Sequence, residues 1–244
     1  MKTILSVFTM LLVISVTTYA KFSDPICFAD TCTNQYNLKK DTLYLDAFPS
    51  CPIYVYYWFR ICNGEMQLQI ESVGYNVNDT NCNSFLSWKN DAAYKFEHAK
   101  QMYAELYLQI DKKVFLHEYS ILPDSLKYIL ECPNGVRKYS YIQVYCTKFC
   151  GYLDTLAGVE YIVQIACNNL GCCRVEKRLC WNTNTSQLDV TETKTSTGTL
   201  TCVTIPPTIV SCPTTYILSG GFTGGNSRTL TSSGYSSPCG ITCD

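Results

Sequence analysis

Sixteen cysteines in a chain of 244 residues restrict this fold more than any other feature of the sequence. They are Cys27, Cys32, Cys51, Cys62, Cys82, Cys132, Cys146, Cys150, Cys167, Cys172, Cys173, Cys180, Cys202, Cys212, Cys239 and Cys243. An even number behind an export signal favours disulfides, because such bonds persist in oxidising surroundings. Zinc is the rival reading. Cys146-x-x-x-Cys150 and the adjacent Cys172-Cys173 come nearest to ligand spacing, but no pair of CxxC knuckles occurs. Neither histidine, His98 or His117, flanks a cysteine. No metal or other cofactor is therefore expected. Eight bridges can be drawn in about two million ways, and sequence does not choose among them. Proximity favours Cys239 with Cys243 and Cys27 with Cys32. Cys172 and Cys173 are expected to point to opposite sides of a strand and to serve different partners.

The export signal is read in residues 1–20. Lys2 supplies the positive start, Ile4 to Val16 form an uncharged apolar run, and Thr18-Tyr19-Ala20 places small residues where a signal peptidase reads them. That run is short for a bilayer, and no later stretch approaches the roughly 18–20 apolar residues of a membrane helix. The mature chain is expected to begin at Lys21, outside the cell or in the periplasm, with no membrane span. Loss of Lys2 leaves 18 Lys and Arg against 20 Asp and Glu, a net charge of −2. So even a balance argues against nucleic acid or an anionic membrane as partner.

Periodicity then divides the chain. Ile53 to Phe59 is rich in strand formers, and Met66, Leu68 and Ile70 alternate with Gln67, Gln69 and Glu71. Asn63-Gly64 between them tolerates the positive φ angles of a tight turn, which predicts a hairpin over 52–72. Ala92, Phe96, Ala99, Tyr103, Leu106 and Ile110 draw one apolar stripe, predicting a helix from Ser87 to about Ile110, capped by Asn90 or Asp91. A shorter helix is expected after Pro123-Asp124, ending at Cys132-Pro133-Asn134-Gly135. Strands follow over Arg137 to Cys146, then a second hairpin pairing Val159–Ile165 with Val175–Leu179 across Asn168-Asn169-Leu170-Gly171, then weaker strands near Leu188 and Leu200. The fold class expected is α+β: an antiparallel sheet of hairpins with one long helix packed on it, disulfide-rich. The domain plan is a signal over 1–20, a stapled domain over 21–205, and an irregular Gly/Ser/Thr-rich extension over 206–244 pinned by its cysteines.

No motif announces chemistry. His117-Glu118, placed in a possible strand, lacks the second histidine of a zinc helix, and no serine sits in a GxSxG elbow. Paired carboxylates of a glycosidase need no local motif, and Glu65, Glu71, Asp91, Glu97 and Asp154 are all available without one being singled out. The aromatics give a better lead. In the first hairpin strand Ile53, Val55, Tyr57 and Phe59 face one way, and Tyr54, Tyr56, Trp58 and Arg60 the other. A later strand carries Tyr139, Tyr141 and Tyr145. Were these strands adjacent, the six aromatics Tyr54, Tyr56, Trp58, Tyr139, Tyr141 and Tyr145 would form a platform for sugar rings or a protein; the alternative is that the helix covers them. Asn78-Asp79-Thr80 and Asn184-Thr185-Ser186 match the N-glycosylation pattern, which matters only in a eukaryote.

Gly171-Cys172-Cys173-Arg174-Val175, Leu179-Cys180-Trp181 and Cys51-Pro52-Ile53-Tyr54-Val55-Tyr56-Tyr57 resemble uncharacterised cysteine-rich secreted proteins of Bacteroidota bacteria, over about residues 51–181. The resemblance implies export from a bacterium and accidental glycosylation matches; it implies no activity. The reading that follows is a secreted, non-enzymatic extracellular protein that binds protein or carbohydrate or self-assembles, as an adhesin, envelope-associated factor or fibre subunit. Alternatives are a secreted carboxylate-dependent polysaccharide hydrolase and a secreted inhibitor or effector.

Overall fold

The computed structural model describes residues 32–167, 171–198, 202, 211–219 and 227–243. The signal expected over 1–20, Cys27, the turn at Asn168-Asn169-Leu170 and the strand near Leu200 lie outside them. Among these residues eleven strands form one sheet: β1 (Asn37–Leu45), β2 (Phe48–Cys62), β3 (Glu65–Asn76), β4 (Arg137–Val144), β5 (Cys146–Asp154), β6 (Val159–Ala166), β7 (Gly171–Asn182), β8 (Gln187–Gly198), β9 (Thr215–Leu218), β10 (Arg228–Ser236) and β11 (Gly240–Ile241).

The first hairpin forms as its pattern predicts. β2 and β3 pair from Cys62↔Glu65 to Tyr54↔Gly74, with one register shift where Tyr56 meets Ser72 and Tyr57 meets Ile70. Asn63 and Gly64 turn the chain at φ 51° and 78°, the left-handed pair a two-residue turn requires. Ile53, Val55 and Tyr57 enter the core beneath the helices, and Tyr56 enters a separate cluster on the other face.

Beyond the hairpin the sheet is mixed rather than antiparallel throughout. One edge of β3 pairs along its length with β2. The other edge is shared: residues 65–67 pair in parallel with β4, and residues 73–76 pair antiparallel with β6. Two wings therefore leave the same edge, β4-β7-β8 and β6-β5-β10-β9. The predicted second hairpin does not form, because β6 finds β5 and β7 finds β8 through tighter local turns. The Asp154 carboxylate accepts the N–H groups of Leu156 and Ala157 in the first of these turns, and the Asn182 side chain accepts those of Asn184 and Thr185 in the second.

The predicted helix is two helices, α1 (Asn83–Lys89) and α2 (Lys95–Ile121). Asp91 breaks the run by accepting the N–H of Ala93, so Ala92 falls outside the stripe while Phe96, Ala99, Tyr103, Leu106 and Ile110 are buried as expected. α2 runs on through His117 and Glu118, where a strand was possible, and ends where Leu122 turns extended before Pro123. A 3-10 helix over Asp124–Leu130 replaces the expected short α-helix.

The stretch beyond residue 206 is not an irregular extension where it is described. β10 pairs with β5 and β9, and β11 returns to the start of β5. Three disulfides hold this part, Cys150–Cys212, Cys167–Cys239 and Cys173–Cys243, and Cys146–Cys202 anchors the chain just before it. Cys32–Cys62, Cys51–Cys82 and Cys132–Cys180 staple the rest. Both proximity guesses fail, since Cys239 and Cys243 go to different strands and Cys32 takes Cys62. The seven bridges span 30 to 72 residues, so each joins separate elements. Cys172 is also disulfide-bonded, and adjacent to Cys173 on β7 it points the other way.

Candidate functional site

The shared edge of β3 creates a structural problem and its solution creates a cleft. Between residues 67 and 73, β3 has neither wing as partner on that edge, and backbone groups there need other bonds. α2 supplies them. The Tyr107 hydroxyl accepts the N–H of Ile70 at 3.0 Å, and the Tyr103 hydroxyl donates to the carbonyl of Ile162 on β6 at 2.8 Å. Tyr141 of β4 lies flat against Tyr107, ring centroids 3.8 Å apart and 7° from parallel.

Where the wings diverge past this stack, a narrow cleft opens to solvent. Tyr103, Tyr107, Tyr141, Phe149 and Val175 form its floor, and its mouth carries Lys100, Gln143, Gln164, Glu192, Lys194 and Thr242. Gln164 reaches Gln143 across the fork at 3.5 Å and Thr147 within its own wing at 3.3 Å, and Gln143 donates to the carbonyl of Thr242 at 3.1 Å. Thr242 itself donates to the carbonyl of Val144 at 2.7 Å, so the chain's last described residues close one end. Near the stack lies a buried ion pair, Lys177 Nζ to Asp111 Oδ2 at 3.1 Å, with the ammonium 5.2 Å from the centre of the Tyr141 ring. Burial pushes the Asp111 carboxyl up to about 6, against the opposing pull of Lys177.

The six aromatics named from sequence are not one platform. Met66 of β3 stands beside Ile61 of β2 and Tyr139 of β4, so Tyr139 shares the face of the odd residues of β2. Tyr139 and Tyr141 are buried on the helix side, with Tyr145 half-buried against the same core. Tyr54 and Tyr56 belong to the cluster on the opposite face, with Tyr152, Tyr161, Leu218 and Leu230. Trp58, half-buried, neighbours Glu71 there. The parallel pairing of β3 with β4 sets this parity. Tyr141 alone of the six lines the cleft. Gln143, Gln164, Glu192 and Lys194 were missed because each occupies an ordinary polar position of an alternating strand.

The carboxylates are equally dispersed. Glu65 pairs with Arg174 at 2.9 Å. Glu71 is buried, which raises its carboxyl, and accepts the N–H of Ser219 at 3.0 Å. Asp91 caps its turn and Glu97 is exposed on α2. Burial acts to raise the Asp154 carboxyl, but bonds from Arg228 at 2.7 Å and from two backbone N–H groups outweigh it and leave it below the ordinary range. His98 stacks on Trp88 at 4.3 Å with Nδ1 2.7 Å from the Trp88 carbonyl, and His117 is exposed on α2. Cys132 and Cys180 cluster with Asp189, but the two sulfurs are bonded to each other and offer no thiolate to a metal.

A second polar cluster centres on β6. Glu160 of β6 accepts the hydroxyls of Tyr75 and Ser233 and pairs with Lys89 at 3.0 Å. The Lys89 ammonium also sits 4.2 Å from the centre of the Tyr235 ring. A Cβ at Gly151 would collide with both Ser233 and Glu160, so only glycine leaves room for the network. It knits α1, β3, β6 and β10 together, with Lys89 buried at one end and Ser233 exposed at the other.

No family model matches this chain, and neither does any curated protein or solved structure. No helix among the described residues is long and apolar enough to cross a membrane.

Proposed function

We propose that the protein is exported and acts outside the cell as a non-enzymatic binding protein, and that the cleft at the fork of the sheet holds a carbohydrate. The observation that carries this reading is the make-up of that cleft: an aromatic floor with a rim of two amides, two ammonium groups, one hydroxyl and one carboxylate. The floor rings are almost wholly buried and give the cleft a rigid apolar base, so the rim makes the contacts: amide and ammonium groups bond a sugar's hydroxyls. The disulfides support that compartment, because such bonds persist in oxidising surroundings.

A hydrolase needs two carboxyl groups about 5–10 Å apart across the scissile bond. Among the described residues lining the cleft Glu192 is the one carboxylate, and Asp111 is committed to Lys177. This favours binding over cleavage. Screening the intact protein on immobilised glycans, then titrating the best saccharide against Lys100→Ala, Gln143→Ala and Gln164→Ala, tests the proposal. Each variant is expected to weaken binding about three- to tenfold, the worth of one hydrogen bond, with near-ultraviolet circular dichroism unchanged. Turnover of the saccharide, or indifference to all three substitutions, would reject it.

A further inference from the structure

The sheet ends on β8, and this edge differs from the others. β8 pairs with β7 without a break from Gly171↔Gly198 to Asn182↔Gln187, and none of its twelve residues is buried. Among the described residues no strand pairs with its outer edge, a long, regular row of backbone groups that is a template for another strand. The other free edges are blunted. β9 has four residues. β1 carries a register shift between Leu43 and Leu45 and adjacent like charges at Lys39 and Lys40.

We infer that β8 is the interface for a second copy of this chain, pairing antiparallel with its own symmetry mate about Thr193. The argument lies in the charges. A two-fold axis normal to the sheet sets residues opposite each other so that both face the same side, and the axis must pass through a residue. Centred on Glu192, that residue meets itself; centred on Lys194, two ammonium groups meet. Centred on Thr193, Glu192 of each copy faces Lys194 of the other, twice over. On the opposite face Thr193 meets Thr193, and Thr191 meets Thr195. Like charges directly opposite destabilise a strand pair, and unlike charges and threonine pairs support it. Within one copy Glu192 and Lys194 are 3.9 Å apart, and both are exposed. A lone lysine guards an edge against pairing; alternate signs about a threonine select one register instead.

The consequence reaches the cleft. Glu192 and Lys194 stand on its rim, so pairing through β8 brings two clefts side by side on one face of a continuous sheet. Two weak sites so joined engage a repeating ligand with an effective concentration that neither has alone. The dimer does not depend on what the cleft holds.

Sedimentation velocity of the intact, unreduced protein over a concentration series reads the interface directly. The expected result is a monomer–dimer equilibrium that stops at the dimer. Glu192→Lys or Lys194→Glu alone should weaken it about tenfold or more, because each sets like charges opposite at two symmetric positions. The double variant E192K/K194E should restore it. Both residues are exposed, so far-ultraviolet circular dichroism should match in all forms. A strict monomer, a ladder of larger species, or a dimer indifferent to the single reversals would each overturn the inference. Saccharide binding is measured separately on the same variants, so failure of the cleft reading leaves the dimer result standing, and the reverse.

Discussion

The β2–β3 hairpin and the strands β9–β11 occupy the same sheet for different reasons. The hairpin buries Ile53, Val55, Tyr57, Leu68, Ile70, Val73 and Tyr75. At roughly 1.5–3 kcal/mol for each large apolar side chain these outweigh the ordering of two strands. Its nearby disulfides, Cys32–Cys62 and Cys51–Cys82, do not join β2 to β3. The C-terminal strands bury Leu218, Leu230 and Tyr235, but β10 otherwise presents Thr and Ser, largely to solvent. So little apolar area does not hold a segment in place, and the three disulfides made by Cys212, Cys239 and Cys243 do the remainder. Membership of a sheet can rest on burial or on sulfur, and each should fail in its own way.

Removing a C-terminal bridge is the hardest test. Cys150 and Cys212 are 62 residues apart, and opening a loop of that size costs about 4 kcal/mol. In C150S/C212S, β9 and β10 should detach first, read as rapid proteolysis within 211–236 and early hydrogen exchange there. In C32S/C62S, protection across Val55 to Phe59 should persist. Equal loss of the hairpin in both variants would erase the distinction.

Glu160 joins the two regions, since Tyr75 comes from β3 and Ser233 from β10. Glu160→Gln leaves the Lys89 ammonium buried without its counter-charge, at a cost of about 3 kcal/mol. Urea denaturation should register it as a global loss, because the cut lies between the burial-held and sulfur-held parts. Were only β10 to loosen, the network would belong to the C-terminal strands alone.

The same division explains what could be read from the sequence. The hairpin was legible because its turn pair and its alternation are local signals, and so was the apolar stripe of α2. The C-terminal strands were not, because Thr-Leu-Thr-Ser-Ser-Gly carries no burial pattern and its anchoring cysteines pair across 62 to 72 residues. The fork was invisible for a related reason. Nothing in Gln67 or Val73 states that two different strands will share one edge, and parity of the tyrosines follows from that pairing. Of the cleft, Tyr141 was foreseen as a binding aromatic and its polar rim was not. Lys177 with Asp111, and Lys89 with Glu160, are pairs made only by the fold.

A titration supplies a reference from outside both regions, on the contact between α2 and β7. Burial holds the Asp111 carboxyl at about 6 in the folded chain, above its ordinary value. The folded state therefore binds a proton more readily than the unfolded one. The resulting stability is present below about pH 4 and lost as pH rises from about 4 to 6, by about 3 kcal/mol. Thermal or urea midpoints measured across that range should show this downward component in the native protein and lack it in Asp111→Asn. A native slope unchanged by the substitution would remove Asp111 as its source.

The smallest effect separates the two regions most finely. Gly64 in the hairpin turn and Gly234 in β10 have φ of 78° and 82°, and a Cβ at either would meet nothing within 4 Å. The substitution to alanine is thus paid in backbone conformation alone, about 1 kcal/mol at both sites. Rates should tell them apart. A hairpin built on local contacts and early burial is expected to form in the folding transition state, whereas strands that rely on covalent anchoring dock afterwards. With disulfides intact, Gly64→Ala should slow refolding with little change in unfolding, and Gly234→Ala should speed unfolding with little change in refolding. If both substitutions acted on the same limb of the chevron, the two regions would be folding as one unit, and the difference in what holds them would carry no kinetic order.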